Sequence, residues 1–576
     1  MLNIASRATN VRFALMAGSW ALLAAASASG QVLLLDNFDD TSGPAAAQGD
    51  GLVDVSQFRA PFGGADFNQR TQYRFDLPQE NVAQTGVGGV GSATGSTDGK
   101  VAVIKFDTYN PLDPGNAFYG TDLITKRNYA VGGGLRMETR MRVDSGTPGG
   151  LVAAAFLYDV TRENPPGTQV RDEIDHELIT NLAQSGTPHS TFTNQWNDGD
   201  FSSPGTGAYI ANSGAFSIND FHNYRTDWVG NKVQYYIDDV LVRTEIGDVP
   251  NDPMRAHMNF WAPDSSFAAA YDGSLSPSAT SPGTTYDMEV DYVKLERFNT
   301  TTSANLLVDG SFESFPLATP AADGTGGWTV FNNASQDGFE LLAQDGFSSL
   351  KTFGPFTGGP NASGAYQNVP AAPGEQFEGS LWAYAPSSDA IKGNENYTTV
   401  TLQFVDAGGS VIGSINYSPG TNQQETPIFD GRDTNMIQDE WVQYTVDAVA
   451  PAGTSFVRIN AFFVQLANQG GAVWFDNASL NRLTADTSFA LADLDLDGDV
   501  DGSDLSSWEG GFGAGPAADV TGDQATTGSD FLVWQRQYTG APQSAPAAGT
   551  VPEPASALLA SLAGLTVLGL RRRRLR

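Results

Sequence analysis

Residues 171–181 read RDEIDHELITN, and between Glu173 and Glu177 every second residue is a carboxylate: Glu173, Asp175, Glu177. Side chains of an extended strand alternate between faces, so these three share one face while Ile174, His176 and Leu178 share the other. The stretch therefore predicts a half-buried strand, apolar side to a core and acidic side to a surface or groove. The outer Cα atoms would stand about 13 Å apart with Asp175 midway. Two glutamate arms leaning together on a concave sheet could bring their carboxyls near the roughly 5–5.5 Å that double-displacement glycoside cleavage uses. Three carboxylates this close cannot all ionise freely, so at least one pKa should rise, as a general acid needs. Two other readings stay open at this point. One is an exposed acidic strand edge, a poor choice for stability because like charges repel on one face. The other is a calcium cage, although cages usually draw ligands from loops with carbonyls nearby.

The same period of two recurs outward from this strand, in KVQYYIDDVLVRTE (232–245) and MEVDYVKLERF (288–298), and later in TTVTLQFVD (398–406) and FVRINAFFVQL (456–466). With 64 Gly and 30 Pro against 17% charged residues in 576, this is the pattern of many short strands and tight turns. The fold class expected is all-β: two β-jelly-roll sandwiches in tandem, a small α-helical calcium-loop segment and a C-terminal membrane helix. The divisions expected are 31–298 and 305–483 for the sandwiches, with NTTTSA (299–304) as a short linker, then 490–540 for the Asp-rich segment and 541–550 for a Pro/Ala/Gly spacer. A formal charge of −34 excludes nucleic acid as a natural partner. The absence of cysteine excludes disulfides, thiol nucleophiles and Cys-based zinc sites. The histidines, His176, His189, His222 and His257, are too scattered in sequence to suggest a metal site.

Both ends read as addresses. Residues 1–30 carry Arg7 and Arg12, the apolar run FALMAGSWALLAAA and a small-residue exit, as a secretory signal peptide does. Residues 551–576 join VPEP to ASALLASLAGLTVLGL and RRRRLR, an apolar run with a basic end that would hold the tail transiently in a membrane. This end resembles the PEP-CTERM sorting tail, which implies export, tail processing and a cell-surface or extracellular destination.

DEIDHELITN also resembles the catalytic strand of glycoside hydrolase family 16. The likeness extends through LITKRNYAVGGGLRMETRMRV (123–143), GGLVAAAFLYD (149–159), DFHNYRTDWVGNKVQYYIDDVLVRT (220–244), PMRAHMNFW (253–261) and MEVDYVKLERF. It implies a concanavalin-like jelly roll with Glu173 as nucleophile, Asp175 as orienting helper and Glu177 as general acid/base. Spacing alone does not divide the roles of the two glutamates. In TFTNQWNDGD the pair Asn194 and Trp196, and in MNFW the pair Asn259 and Trp261, are the substrate-binding residues so implied. Trp228 reads as core and His176 as packing. The chain departs from the family pattern at Val170 and Arg171, at Phe156 and at Asp122, which bears on substrate more than on reaction. The unbulged E-x-D-x-E form implies β-1,3/1,4-glucan first, with xyloglucan, laminarin or galactan behind it. The rival class is a non-catalytic surface adhesin using the same cleft as a lectin.

Residues 305–483, from NLLVDGSFE to GGAVWFDNASL, resemble carbohydrate-binding modules of families 4, 9 and 22, with Glu313 and Asp476 where related modules often hold calcium. DLDLDGDVDGSD (493–504) sets Asp493, Asp495, Asp497, Asp499, Asp501 and Asp504 at positions 1, 3, 5, 7, 9 and 12 of an EF-hand-type loop, with Gly498 at position 6. A weaker copy, DVTGDQATTGSD (519–530), keeps Asp519, Thr521, Asp523 and Asp530. Together they resemble dockerin repeats, implying structural calcium, no organic cofactor and a docking module on another protein as partner.

Overall fold

The strand Leu135–Val143 shows how the fold is encoded. Leu135, Met137, Thr139, Met141 and Val143 are buried, and the four residues between them are not. The outward arginines meet carboxylates of neighbouring strands: Arg136 lies 2.6 Å from Asp227 and 3.4 Å from Glu296, Arg142 lies 2.6 Å from Glu289, and Arg140 pairs with Asp291. Such cross-strand pairs contribute roughly 0.2–1 kcal/mol each, so they set register while the buried alternate residues drive the packing.

The computed structural model describes residues 31–485, except 39–52, 55–56, 62–65, 68–69, 76–93, 163–168, 185–190, 200–206, 211–215, 230–231, 247, 299, 340–341, 413–424 and 434–435, together with parts of 492–538. The stretches expected as leader (1–30), spacer (541–550) and sorting tail (551–576) lie outside the described residues. Among the described residues no helix is long and apolar enough to cross a membrane.

Two sheets stack in the first body of strands. In the back sheet, Thr285–Arg297 pairs along one edge with Leu135–Val143 and along the other with Ala102–Asp107 and then Gln31–Asp36. Leu135–Val143 continues to His222–Val229, Lys232–Ile237 and Val240–Glu245. The second sheet, here the site sheet, runs Ala208–Ile210, Thr191–Gly199, Gln169–Ile179, Val152–Arg162, Met254–Trp261, Phe118–Tyr129 and Phe58–Arg59, all antiparallel. Ile174, Leu178, Trp228, Met258 and Phe260 belong to the core between the sheets. This is the mostly-β, jelly-roll-type sandwich expected from the period of two.

A further set of strands encloses a separate core that includes Phe312, Trp328, Phe377, Leu402 and Phe475. One of its sheets joins Ala334–Asp337, Ser349–Phe353, Ala472–Ala485, Gln376–Tyr384 and Trp441–Val449. The other joins Thr329–Phe331, Asn361–Pro370, Phe456–Gln465, Tyr397–Val405 and Glu425–Asp430. Within the stretch expected as a linker, residues 300–302 are paired. Thr300–Thr302 is a strand paired with Ala472–Ala485, from Thr300 opposite Ala485 to Thr302 opposite Leu483. Three β-branched threonines favour that extended state.

Gly120 sits where strands close tightly. A Cβ there would stand 2.6 Å from Thr71 Cγ2 and 2.7 Å from the Phe260 carbonyl oxygen. Gly120→Ala is therefore expected to destabilise the protein by about 1–3 kcal/mol, read as a lower thermal or urea midpoint; an unmoved midpoint would mean that these strands do not pack against Gly120.

Candidate functional site

Gln169–Ile179 carries the carboxylates at alternate positions of a regular strand. Thr191–Gly199 sets Trp196, Asn194 and Phe192 opposite Glu173, Asp175 and Glu177 on one side. On the other side, Val152–Arg162 sets Tyr158, Phe156 and Ala154 opposite the same three. Met254–Trp261 continues the rows with Arg255, His257 and Asn259. In-register residues of neighbouring strands share a face, so the three acids, both expected Asn/Trp pairs, Tyr158, Phe156, His257 and Arg255 lie together on the face turned away from the core. On the core side, His176 packs 5.3 Å from Tyr235 and 5.8 Å from Tyr224, its Nε2 3.1 Å from the Arg225 carbonyl oxygen. Trp228 is wholly buried.

Asp175 is buried, whereas Glu173 and Glu177 are partly exposed on this face. Around them is an aromatic floor: Tyr73, Phe156 and Trp261 cluster with Tyr158, Phe192 and Phe267. Trp261 is only 4% exposed, so it supports the floor from within it, while Trp196 is half-buried with the Arg171 guanidinium 4.1 Å over its ring. Asn194 Oδ1 accepts from the Gln195 amide, and Asn259 Nδ2 donates to the Tyr73 hydroxyl at 3.1 Å. Among the described residues, no hydrogen bond is donated to the buried oxygens Asn259 Oδ1 and Glu173 Oε2, although the Arg171 guanidinium stands near the latter.

The surroundings make the acids unequal. Burial pushes the Glu173 carboxyl up to about 7, opposed by Arg171, whose Nη1 lies 3.4 Å from Oε2, and by His257. Burial pushes Glu177 up to about 8, and the neighbouring Glu173 charge adds to it. Asp175 is raised well above the carboxylate range by burial and then by Glu173 and Glu177. Asp175 and Glu173 share a side-chain hydrogen bond that favours ionised Glu173 and protonated Asp175. In that bond Asp175 holds the proton and Glu173 accepts it.

Arg171, Tyr158, Arg255 and the His257–Asp122 pair were not singled out as site residues from sequence. Asp122 Oδ2 lies 3.0 Å from His257 Nδ1. The His257 ring stacks on Phe156 at 4.8 Å and meets the edge of Tyr158 at 5.6 Å. The available signal was the period of two itself: stepping back from Trp261 and Asn259 gives His257 and Arg255.

Residues 87–294 match the profile of the Glycosyl hydrolases family 16. Residues 87–294 are a family 16 glycosyl hydrolase domain. Members of that family are glycosidases and transglycosylases. The chain is similar to xyloglucan endotransglycosylase/hydrolase protein 8 of Oryza sativa subsp. japonica, 28% identical over 161 residues, 27% of this chain and 50% of that one. It is also similar to a β-glucanase of Bacillus subtilis (strain 168), 29% identical over 124 residues, 22% of this chain and 45% of that one. It thus spans about half the length of these curated relatives. Among solved structures, a prokaryotic β-1,3-1,4-glucanase (lichenase) from a mouse hindgut metagenome aligns at 16% identity and TM-score 0.32, covering 46% of this chain and 99% of that one.

Beyond the family 16 domain, Asp493, Asp495, Asp497, Asp499, Asp519 and Asp523 lie outside the described residues. Asp504 and Asp530 are described, buried, and equivalent. Asp504 accepts from the Leu494 and Asp501 amides, and Asp530 from the Val520 and Thr527 amides. Trp508 Nε1 donates to the Thr527 carbonyl and Trp534 Nε1 to the Asp501 carbonyl, each 3.0 Å. Every one of these positions recurs 26 residues later. Both oxygens of each carboxylate accept backbone amides, closing capping boxes at the starts of the helices Gly502–Gly511 and Gly528–Gln537, and among the described residues no group of three or more candidate metal ligands gathers. In the second body, Glu313 accepts the Phe347 and Ser348 amides, and Asp476 those of Gln344, Asp345 and Asn477.

Two outcomes follow from the raised carboxyls. An unfolded glutamate titrates near 4.5, so between pH 4.5 and about 8 the folded state keeps a proton on Glu177 that the unfolded chain releases. Folding stability from this group is present below pH 4.5 and lost as pH rises through 8. Glu177→Gln should therefore melt higher than the parent at pH 8, with the gap closing by pH 4.5; a gap independent of pH would contradict it. Arg171→Ala should shift the acid limb of the pH–rate profile upward by about one unit, because ionised Glu173 loses its cation; an unshifted limb would remove Arg171 from that role.

Proposed function

We propose that the 31–298 body is an endo-acting retaining glycosidase that cleaves a β-linked polysaccharide by double displacement. A β-1,3/1,4-glucan is the leading substrate, followed by xyloglucan, laminarin or a galactan. One observation carries the reading: on a single strand face two partly exposed glutamates flank the buried Asp175, and the Arg171 guanidinium 3.4 Å from Glu173 favours its ionised form while burial and the Glu173 charge favour a protonated Glu177. That is the division of labour between nucleophile and acid.

Glu173 attacks the anomeric carbon as Glu177 gives its proton to the departing glycosidic oxygen, leaving a glycosyl ester on Glu173. Glu177, now a carboxylate, takes a proton from water as the water oxygen attacks the same carbon, and Glu173 departs. The Asp175 proton directed at Glu173 eases the charge it regains. If a sugar hydroxyl replaces the water, the same steps transfer the glycan. Trp196 and Tyr158 offer rings for pyranose faces, and Asn194 and Asn259 offer amides for hydroxyls.

For the remainder of the chain the proposal is a carbohydrate-binding role for the second body, calcium-supported docking by the 490–540 segment, and export with transient membrane anchoring through the tail. Calcium held by the Asp-rich loops would neutralise their carboxylates and stiffen the segment.

On a panel of lichenan, laminarin, xyloglucan, agarose and carrageenan, the full chain should release oligosaccharides from at least one glycan. Glu173→Ala should lower that rate on the order of 10³-fold or more while glycan binding survives. Binding without cleavage by the parent protein across a broad panel would instead favour the lectin-like adhesin.

A further inference from the structure

The row of the site sheet that carries Glu173 does not end at the edge of the first body. Across the strands it runs Trp196, Glu173, Tyr158, Arg255 and Asn128. Asn128 Oδ1 then accepts the Thr445 amide at 2.7 Å, and Gln443 pairs in parallel with Arg127. The Trp441–Val449 strand of the second body thus lies beside the site sheet as its continuation.

The junction is packed and charged. Arg297, the last residue of the Thr285–Arg297 strand, is fully buried and ion-pairs with Glu378 of the second body. Asp447 accepts the Gly132 amide at 2.9 Å. Glu440 lies 2.9 Å from Lys126 and 3.7 Å from Arg59. Arg255 is gripped from both bodies, 2.6 Å from Asp159 and with its guanidinium 4.6 Å over the Tyr444 ring. Separating the bodies would strand the Arg297 and Glu378 charges, a cost of the kind that holds buried pairs together. The strand Thr300–Thr302 enters the second body almost directly after Phe298, so no long tether permits a swinging motion.

We propose that the second body is a fixed side wall of the catalytic face, and that Tyr444 is a positioning residue that holds Arg255 in the Glu173 row and so helps define how a glycan chain seats there. This rests on the glycosidase reading for its kinetic consequence and on the junction alone for its structural one. A tethered binding module would raise local concentration on insoluble polysaccharide and leave the handling of short soluble chains untouched; a wall alters the latter.

The test uses the full chain and its Tyr444→Ala and Glu378→Gln variants. Calorimetry of the parent should show both bodies melting in one transition, and Glu378→Gln should split it or lower it. Two independent parental transitions would overturn the proposal whatever the enzyme cleaves. On soluble β-glucan oligosaccharides, Tyr444→Ala should raise KM about fivefold, keep kcat within about twofold, and change the product lengths. A folded Tyr444→Ala protein with parental KM and product lengths would overturn the positioning role. Should the parent cleave no glycan, the glycosidase reading fails; oligosaccharide affinity of Tyr444→Ala measured by calorimetry, expected to be weakened, then decides the wall by itself.

Discussion

Three like charges crowded on one partly buried strand face are the constraint on which the rest of this protein turns. Left alone, Glu173, Asp175 and Glu177 would repel and destabilise the strand that bears them. The fold accommodates them unequally. Glu173 receives a guanidinium, an imidazole and a proton held by Asp175, whereas Glu177 receives burial and the neighbouring charge. The burial that makes the acids unequal is also what makes the face costly at neutral pH. Stability is conceded at the site and recovered in the core beneath, where Ile174 and Leu178 of the same strand are sealed among apolar neighbours.

Strand register organises the surrounding chemistry. Because in-register residues share a face, Met254–Trp261 contributes His257 to the row of Asp175 and Arg255 to the row of Glu173, although more than seventy residues separate them in sequence. Asp122 anchors the imidazole from the next strand over. On the opposite sheet the arginines of Leu135–Val143 neutralise carboxylates of Thr285–Arg297 and His222–Val229. The chain has few basic residues and places several of them where they hold register.

Much of the site was legible because its signal is local. Alternation within 173–177 sets the shared face, and the same rule assigns the Asn194/Trp196 and Asn259/Trp261 pairs to it. The depth of Trp261 was not legible, since it depends on Tyr73 and Phe267 arriving from distant segments. The stretch 299–304 looked like a linker on composition, but its partner strand lies about 180 residues away, so nothing nearby signals its pairing. The equivalence of the two Asp-rich loops showed in spacing, whereas the crossed indole bonds of Trp508 and Trp534 needed the folded pair.

By itself the amino-acid sequence determined the β class, the strand that bears the acids, which of its residues face together, and the acidic, cysteine-free character of the chain. These follow from a two-residue period and from composition, which require no knowledge of neighbours. Only the tertiary structure decided which acid is buried and which has a guanidinium beside it, which histidine joins the site and what borders it. Those outcomes depend on burial and on charges brought within a few ångströms by strand pairing, and distance in space is not written along the chain.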